Sequence, residues 1–285
     1  MIVVNLRLAS GDLRQCGGVA TLSRGMARQR LGQHFLGDPG WQKKIFRTLP
    51  GEGEDVWIEI GPGHGEMTQL LAADGRRVVA VEADARLAEG LRERAAREWP
   101  KVEIVTADVL CVDLAKLTSG KFRVYGNLPY YITSPILHRL FDCADRIDSI
   151  HIVIQLEVAE RIVAPPGGHA HGYLSAACQY YTKPEIAMRI PPGAFRPPPK
   201  VKSALLRMTL PGERAKLSVA DDERFLEFVQ TCFGMKRKTL RNNLREMASD
   251  ERIHAALEAS GLRADARAEQ LRLAQFAALF RELAA

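Results

Sequence analysis

The sequence predicts an α/β protein: a mostly parallel sheet with helices on both faces and an antiparallel edge, then a small all-helical C-terminal domain. Three observations predict it. From Asp55 onward, short apolar runs alternate with amphipathic stretches. Two later strand-like runs follow one another with no helical stretch between them. Beyond Pro211 only helical periodicity remains.

"DVWIEI" (55–60) is the first strand, and Gly65 to Ala73 the helix after it. "RVVAVEA" (77–83) is the second strand, followed by a helix through Arg97. "VEIVTAD" (102–108), "FRVYGN" (122–127) and "SIHIVIQL" (149–156) are the third, fourth and fifth. Continuous apolar strands separated by helices are buried on both faces, which is the pattern of a parallel sheet. "EIAMRI" (185–190) and "SALLRMTL" (203–210) lack a helix between them and form the antiparallel edge. Helical patterns then cover Phe225 to Phe233, Thr239 to Met247, Ile253 to Leu257 and Ala268 to Leu283. The expected domains are therefore 26–210 and 211–285. Residues 1–25, Gly- and Ser-rich with one acid, read as a disordered extension or as a start codon assigned too early, with Met26 opening the protein. A mitochondrial transit peptide is the alternative.

Composition narrows the function classes. With 46% hydrophobic residues among 285, the chain can bury a core, which excludes general disorder. Forty Lys and Arg against 34 Asp and Glu leave a net charge of +6, which fits a polyanionic partner. The five cysteines show no CxxC spacing, so neither a disulfide framework nor a zinc site is expected, and a reducing cytoplasm is. No apolar run reaches the roughly 18 residues of a membrane span.

In parallel sheets ligands bind at the carboxyl ends of the strands, and the residues there carry chemistry. "IEIGPGHGEMT" (58–68) places Gly61, Gly63 and Gly65 where the first strand turns into its helix, with Glu59 inside the strand. Glycines there let backbone amides approach a ligand. The spacing is G-x-G-x-G, not that of a pyrophosphate loop. Glu82 ends the second strand, about 20 residues on, where a ribose diol finds an acceptor. Asp108 ends the third strand and is placed to accept from an adenine amine. Singly, such acids are commonly solvated loop carboxylates. Together, at the ends of consecutive strands, they point to S-adenosylmethionine, with NAD as the competitor.

The fourth strand runs into "NLPYYITSP" (127–135), which puts Asn127 beside the same crevice. An aromatic amine is a weak nucleophile because its lone pair is delocalised into the ring. Two acceptors taking its two protons pull the nitrogen toward tetrahedral geometry. The Asn127 side-chain oxygen and the Leu128 carbonyl are the candidates. Pro129 fixes φ and stiffens the turn, and Tyr130 is placed to stack on a base. In "FRPPPKVKSA" (195–204), Phe195 is expected as a lid over the base's other face; the alternative is a polyproline connector with a core Phe.

These motifs resemble the rRNA adenine dimethyltransferase family of the KsgA/RsmA type. "RQRLGQHFL" (28–36), "EIGPGHGEMT", "VEAD", "NLPYYITSPIL", "HGYLSAACQYY", "FRPPPKVKSA" and "KRKTLRNNL" (236–244) follow in the family's order from about Arg28 to Leu283. The resemblance implies a Rossmann-like methyltransferase fold using S-adenosylmethionine, with cofactor contacts from position 34, Leu36, Gly61, Glu82, Asp108 and Asn127. The common pattern has Asn where this chain has His34. It further implies dimethylation of the N6 amines of two adjacent adenosines in a hairpin loop near the 3′ end of 16S rRNA, in the small ribosomal subunit or its precursor, with a role in subunit biogenesis and a monomeric enzyme.

"MKRKTLRNNLRE" (235–246) is expected to set Lys236, Arg237, Lys238, Arg241 and Arg245 on one helix. Arg237, Arg241 and Arg245, four residues apart, would share a face. By itself that reads as a solvated face; given the resemblance it reads as a phosphate footprint. His169 and His171, on a Gly/Pro loop without a third ligand, are discounted as metal ligands, so no metal is expected. His64 is expected to face solvent, and Trp41, Trp57 and Trp99 to pack. Three rival readings stand: an erythromycin-resistance methyltransferase acting on large-subunit rRNA, a non-catalytic ribosome-assembly factor, and a NAD-dependent oxidoreductase.

Overall fold

The computed structural model describes residues 34–51 and 55–284. The extension 1–25 and most of the "RQRLGQHFL" motif lie outside the described residues.

The chain opens with a short strand, β1 (Phe35–Leu36), and a helix, α1 (Pro39–Phe46), which Asp38 caps by accepting from the Trp41 amide. The alternating unit follows: β2 (Val56–Ile60), α2 (Glu66–Ala73), β3 (Arg77–Glu82), α3 (Ala85–Glu98), β4 (Val102–Thr106) and β5 (Phe122–Asn127). Then come α4 (Thr133–Phe141), β6 (Ile147–Gln155), α5 (Leu156–Val163), α6 (Tyr173–Tyr181), β7 (Lys183–Ile190), β8 (Phe195–Arg196) and β9 (Ser203–Thr209).

Seven strands form one sheet in the order β4-β3-β2-β5-β6-β9-β7. The first five are parallel, while β9 runs antiparallel to both β6 and β7. The two expected edge strands are thus present, with β9 inserted between β6 and the edge strand β7. The order reverses between β2 and β5, so their carboxyl ends open a crevice, the switch point where such sheets take ligands.

Alternate residues of each strand feed two cores. Ile58, Ile60, Val79, Val81, Val124, Ile150, Ile152 and Leu206 pack on the side of α4, α5 and α6. Trp57, Val78, Ala80, Tyr125, Val153 and Leu205 pack on the side of α1 and α2. Two-sided burial is why these strands read as continuous apolar runs.

Beyond β9 come α7 (Arg214–Leu217), α8 (Asp222–Cys232), α9 (Leu240–Leu244), α10 (Asp250–Ala259) and α11 (Leu273–Ala284). They share a separate apolar cluster of Phe225, Phe228, Val229, Leu240, Leu244, Ile253 and Phe276. That cluster also takes in Ala176, Ala177 and Tyr180 of α6, and the Tyr180 hydroxyl donates to Asp222 at 2.5 Å.

Two helical expectations are corrected. Residues 235–246 are not one helix: α8 ends at Cys232, turns follow, and α9 spans only five residues. Arg237 takes a left-handed φ of 76°, which a continuing helix does not allow, and Thr239 caps the new start. Likewise 268–283 is interrupted: a 3₁₀ turn (Ala268–Gln270) precedes α11, and Leu271 between them is extended, with ψ 139°. Gln270 and Gln275 accept from the amides of Arg267 and Arg272, giving each segment its own start. Among the described residues no helix is long and apolar enough to cross a membrane.

Candidate active site

The glycine turn follows β2 as expected. Gly61, Gly63 and Gly65 all have positive φ, at 64°, 61° and 83°. At Gly63 the requirement is doubled, since a Cβ would lie 2.9 Å from the Phe35 ring. Gly61 is exposed, with open space where its Cβ would be, so this part of the turn is approachable from the crevice.

Glu82, at the end of β3, is 4% exposed. It accepts from the Gly63 amide at 3.1 Å and from the Asp84 amide at 3.0 Å. One carboxylate thereby ties the glycine turn to the next strand. A carboxylate offers about four lone-pair positions, so acceptor capacity for a diol remains. Asp108, past the end of β4, is exposed and accepts from the Leu110 amide at 2.9 Å. The structure brings Gly61, Gly63, Glu82, Asp108 and Asn127 to the same end of three neighbouring strands and the switch-point strand β5.

Glu59 was read only as a strand residue. It is 2% exposed and accepts from the Thr68 hydroxyl at 2.6 Å. Burial pushes its carboxyl up to about 7, with Glu66 and Glu82 adding repulsion and the Thr68 bond opposing them. The fully buried Tyr125 is its register neighbour on β5, and the Tyr125 hydroxyl has no partner among the described residues.

The Asn-Leu-Pro-Tyr turn leaves β5 at Asn127. Its Nδ2 donates to the His34 carbonyl at 2.8 Å. The amide orientation follows, with Oδ1 as the end left over, and no donor among the described residues reaches it. The Leu128 amide donates to the Val153 carbonyl at 3.0 Å, fixing the turn to β6. The Leu128 carbonyl likewise accepts no hydrogen bond among the described residues. Pro129 holds φ at −58°. Tyr130 is half-buried and its hydroxyl meets Ser203 Oγ at 2.7 Å, anchoring the ring to β9.

A strap that periodicity did not reveal completes the site. β1 pairs antiparallel with β8, Leu36 opposite Phe195 and Phe35 opposite Arg196. His34 Nδ1 donates to the Pro197 carbonyl at 2.7 Å, and the Gly37 amide donates to the Ala194 carbonyl at 3.0 Å. His34 therefore contacts Asn127 through its backbone and the proline segment through its ring. Leu36 is 5% exposed, packed in the core on the α1 side.

The expected Phe195 lid is corrected. Its ring has no exposed surface and packs with Leu36, Ala194 and Leu205. A lid needs a face toward the crevice, so Phe195 acts here as the core anchor of β8. His64 is exposed and its ring lies 4.8 Å from that of Phe35. His171 is buried, its Nδ1 donating to the Ala164 carbonyl at 2.9 Å, which gives it a structural task. Trp57 and Trp99 are buried, as packing residues should be.

The basic residues do not form the expected stripe. Arg241 pairs with Asp250, with Nε 2.8 Å from Oδ1. Lys236, Arg237 and Lys238 lie on the exposed turns before α9, and Arg245 at its end. Thr239, Arg241, Asn242, Arg245, Ser249, Asp250 and Asp265 line an open groove of about 620 Å³.

The sheet order, the glycine turn after the first strand of the sheet and acids at successive strand ends define a Rossmann-like methyltransferase fold. A family model described as ribosomal RNA adenine dimethylase matches residues 25–285, and the chain belongs to that family. The ribosomal RNA small subunit methyltransferase A of Koribacter versatilis is 41% identical over 275 residues, covering 92% of this chain and 96% of that protein. A dimethyladenosine transferase from Plasmodium falciparum superposes with a TM-score of 0.74 at 23% identity, covering 87% of this chain and 97% of that one, which shows the shared fold. The 23S rRNA methyltransferase ErmE superposes with a TM-score of 0.66 at 29% identity, covering 88% of this chain and all of that one.

Proposed function

We propose that this protein transfers methyl groups from S-adenosylmethionine to the N6 amines of two adjacent adenosines in the 3′-terminal hairpin loop of 16S rRNA. The observation that carries the reading is the Asn127–Leu128 pair. Two oxygens with no donor among the described residues sit at the carboxyl end of β5, and the Asn127 amide is locked by the His34 carbonyl. An exocyclic amine has two protons, which is what such a pair accepts.

The residues present fit the cofactor. Glu82 retains acceptor capacity, Gly61 is open, and Asp108 is exposed at the next strand end. We assign the ribose to Glu82, the adenine amine to Asp108 and the turn at Gly61 and Gly63 to the approaching backbone. When bound, S-adenosylmethionine supplies an electrophilic methyl carbon. Asn127 Oδ1 and the Leu128 carbonyl accept from the target amine and draw its lone pair out of the ring. Pro129 and the Leu128 amide bond hold these acceptors before the base arrives. Tyr130 supplies the stacking face. No side chain need take a proton early, because the leaving group departs neutral.

We assign 26–210 to catalysis and 211–285 to RNA binding, with Lys236, Arg237, Lys238, Arg241 and Arg245 as phosphate contacts. The protein is read as a cytoplasmic monomer acting on the small subunit or its precursor, where it serves biogenesis. The 41% identity with a small-subunit enzyme over nearly the whole chain supports this target over the 23S one. The test is transfer of labelled methyl to undermethylated small and large subunits, with the modified base identified. Dimethyladenosine in the small-subunit RNA is expected; label confined to the large subunit refutes the assignment.

A further inference from the structure

Tyr131 is the one aromatic among the exposed large apolar side chains of the described residues, at 62% exposure. It follows Tyr130 directly, in the 3₁₀ turn Tyr130–Ile132 that leads from the catalytic turn into α4. Tyr130 is half-buried and tied to Ser203; the Tyr131 side chain makes no hydrogen bond among the described residues. The segment before Ser203 is joined to this turn through the Tyr130–Ser203 bond. Val201 is 45% exposed, between Lys200 and Lys202, which are both exposed and make no ion pair among the described residues. The Lys202 carbonyl accepts from the Leu156 amide at 2.9 Å, and the Tyr130–Ser203 bond closes the link. Both segments are thereby held at the carboxyl ends of β5 and β6. Neither 127–135 nor 196–202 contains an acid, while the second contributes Arg196, Lys200 and Lys202.

An exposed ring and cations with no ion pair among the described residues, on two linked segments without an acid, make the kind of surface that single-stranded nucleic acid prefers: the ring takes a base and the cations take the backbone. Tyr131 leaves the turn one residue after Tyr130, so a base presented at Tyr130 has an exposed ring one residue away for the nucleotide beside it.

We propose that Tyr131 is the stacking platform for the nucleotide adjacent to the target adenosine, with Lys200 and Lys202 on the flanking phosphates. This rests on the active-site reading above and deepens it: two adjacent adenosines would be gripped together, one at Tyr130 and one at Tyr131. It makes Tyr131 a substrate-positioning residue.

The test uses the full chain and a small-subunit hairpin RNA carrying 2-aminopurine next to one target adenosine. Wild type is expected to change the probe's fluorescence on binding and to methylate the target. Tyr131→Ala is expected to abolish the fluorescence change and to raise KM for RNA by about 5- to 20-fold, the lower part of the range for losing one stacked base. Tyr131→Trp is expected to restore both, and S-adenosylmethionine affinity should stay at the wild-type value in each variant. Lys200→Gln with Lys202→Gln should lower the slope of log affinity against log salt by about 1.4, for two single-strand phosphates. A Tyr131→Ala enzyme with wild-type KM and fluorescence overturns the proposal while leaving the catalytic reading intact. So does a Tyr131→Leu enzyme that matches wild type, since that would show an apolar contact instead of stacking. Failure of wild type itself to methylate small-subunit RNA overturns both.

Discussion

Replacing Asn127 with Ala removes one of two acceptors and the hydrogen bond that ties the turn to the strap at His34. The wild-type Nδ2 donates to the His34 carbonyl at 2.8 Å, so Oδ1 is presented without a rotamer search. On the proposed reading the amine nitrogen becomes cationic during transfer, so both acceptors would strengthen as charge develops, and that differential would accelerate the step. A hydrogen bond to a charged group is worth about 1.5–3 kcal/mol, and loss of one preorganised group of this kind commonly costs about 10²–10³ in kcat. The expected loss for Asn127→Ala is therefore at least about 100-fold in single-turnover transfer from labelled S-adenosylmethionine to undermethylated small subunits. RNA affinity, carried by other surfaces, should change by less than about twofold in a filter-binding titration. Asn127→Asp is a sharper probe. It keeps an acceptor but turns the donor into an oxygen facing the His34 carbonyl oxygen, so the strap contact becomes repulsive. It should lose activity nearly as far as Ala does, and the strap should become more open to proteolysis between Leu36 and Pro39. An Asn127→Ala enzyme within about threefold of wild-type kcat would refute the acceptor role.

Other perturbations follow from the same geometry. Glu59 titrates near 7 in the folded chain, well above its ordinary value, because it is buried. A raised carboxyl favours folding only while protonated, so its contribution is present below about pH 4.5 and is lost as pH rises through 7. Glu59→Gln should match wild type at about pH 4 and exceed it by up to about 3 kcal/mol at about pH 8, by urea unfolding; equal stabilities at both pH values would contradict the buried charge. Gly63→Ala should destabilise by about 1–2 kcal/mol from its left-handed φ alone, and should weaken S-adenosylmethionine binding as Phe35 is displaced, by calorimetry. Ser203→Ala should release the Tyr130 hydroxyl and lower kcat/KM about 5-fold, in keeping with loss of about 1 kcal/mol for a neutral hydrogen bond; unchanged kinetics would make the tether irrelevant. Arg237→Glu should weaken RNA binding more than Arg241→Gln, because Arg241 is already engaged by Asp250, and the order should be read at low and high salt.

The parts of the fold that were legible are those where one local signal suffices. Strands buried on both faces leave long apolar runs, and a glycine turn between a strand and a helix leaves its spacing. The positions of Glu82 and Asp108 were legible because each directly follows an apolar run that ends there. The basic stretch was misread for a local reason: four-residue spacing is necessary for a helical face but does not make a helix. Arg237 sits at positive φ and Thr239 starts a new cap. Phe195 was misplaced because the proline run that follows it says where the backbone is extended and not which side of it is covered.

What could not be read was held together across the chain. Asn127 is oriented by a carbonyl 93 residues away, and His34 reaches Pro197 across 163 residues. Neither contact leaves a period or a spacing. The same holds for the polar row inside the sheet, where Glu59, Tyr125 and His151 are register neighbours on β2, β5 and β6. Each looks like an interruption of an apolar strand, yet all three are buried on one face, and burial raises the first two and lowers the His151 imidazole to about 3. Glu59 stands two residues before Gly61 and accepts from Thr68 of α2, and the His34 carbonyl holds the Asn127 amide. The site's few exposed polar groups therefore depend for their geometry on contacts that reach across the chain, and variants at His34, Thr68 or Ser203 should alter transfer while leaving Glu82, Asp108 and Asn127 in place.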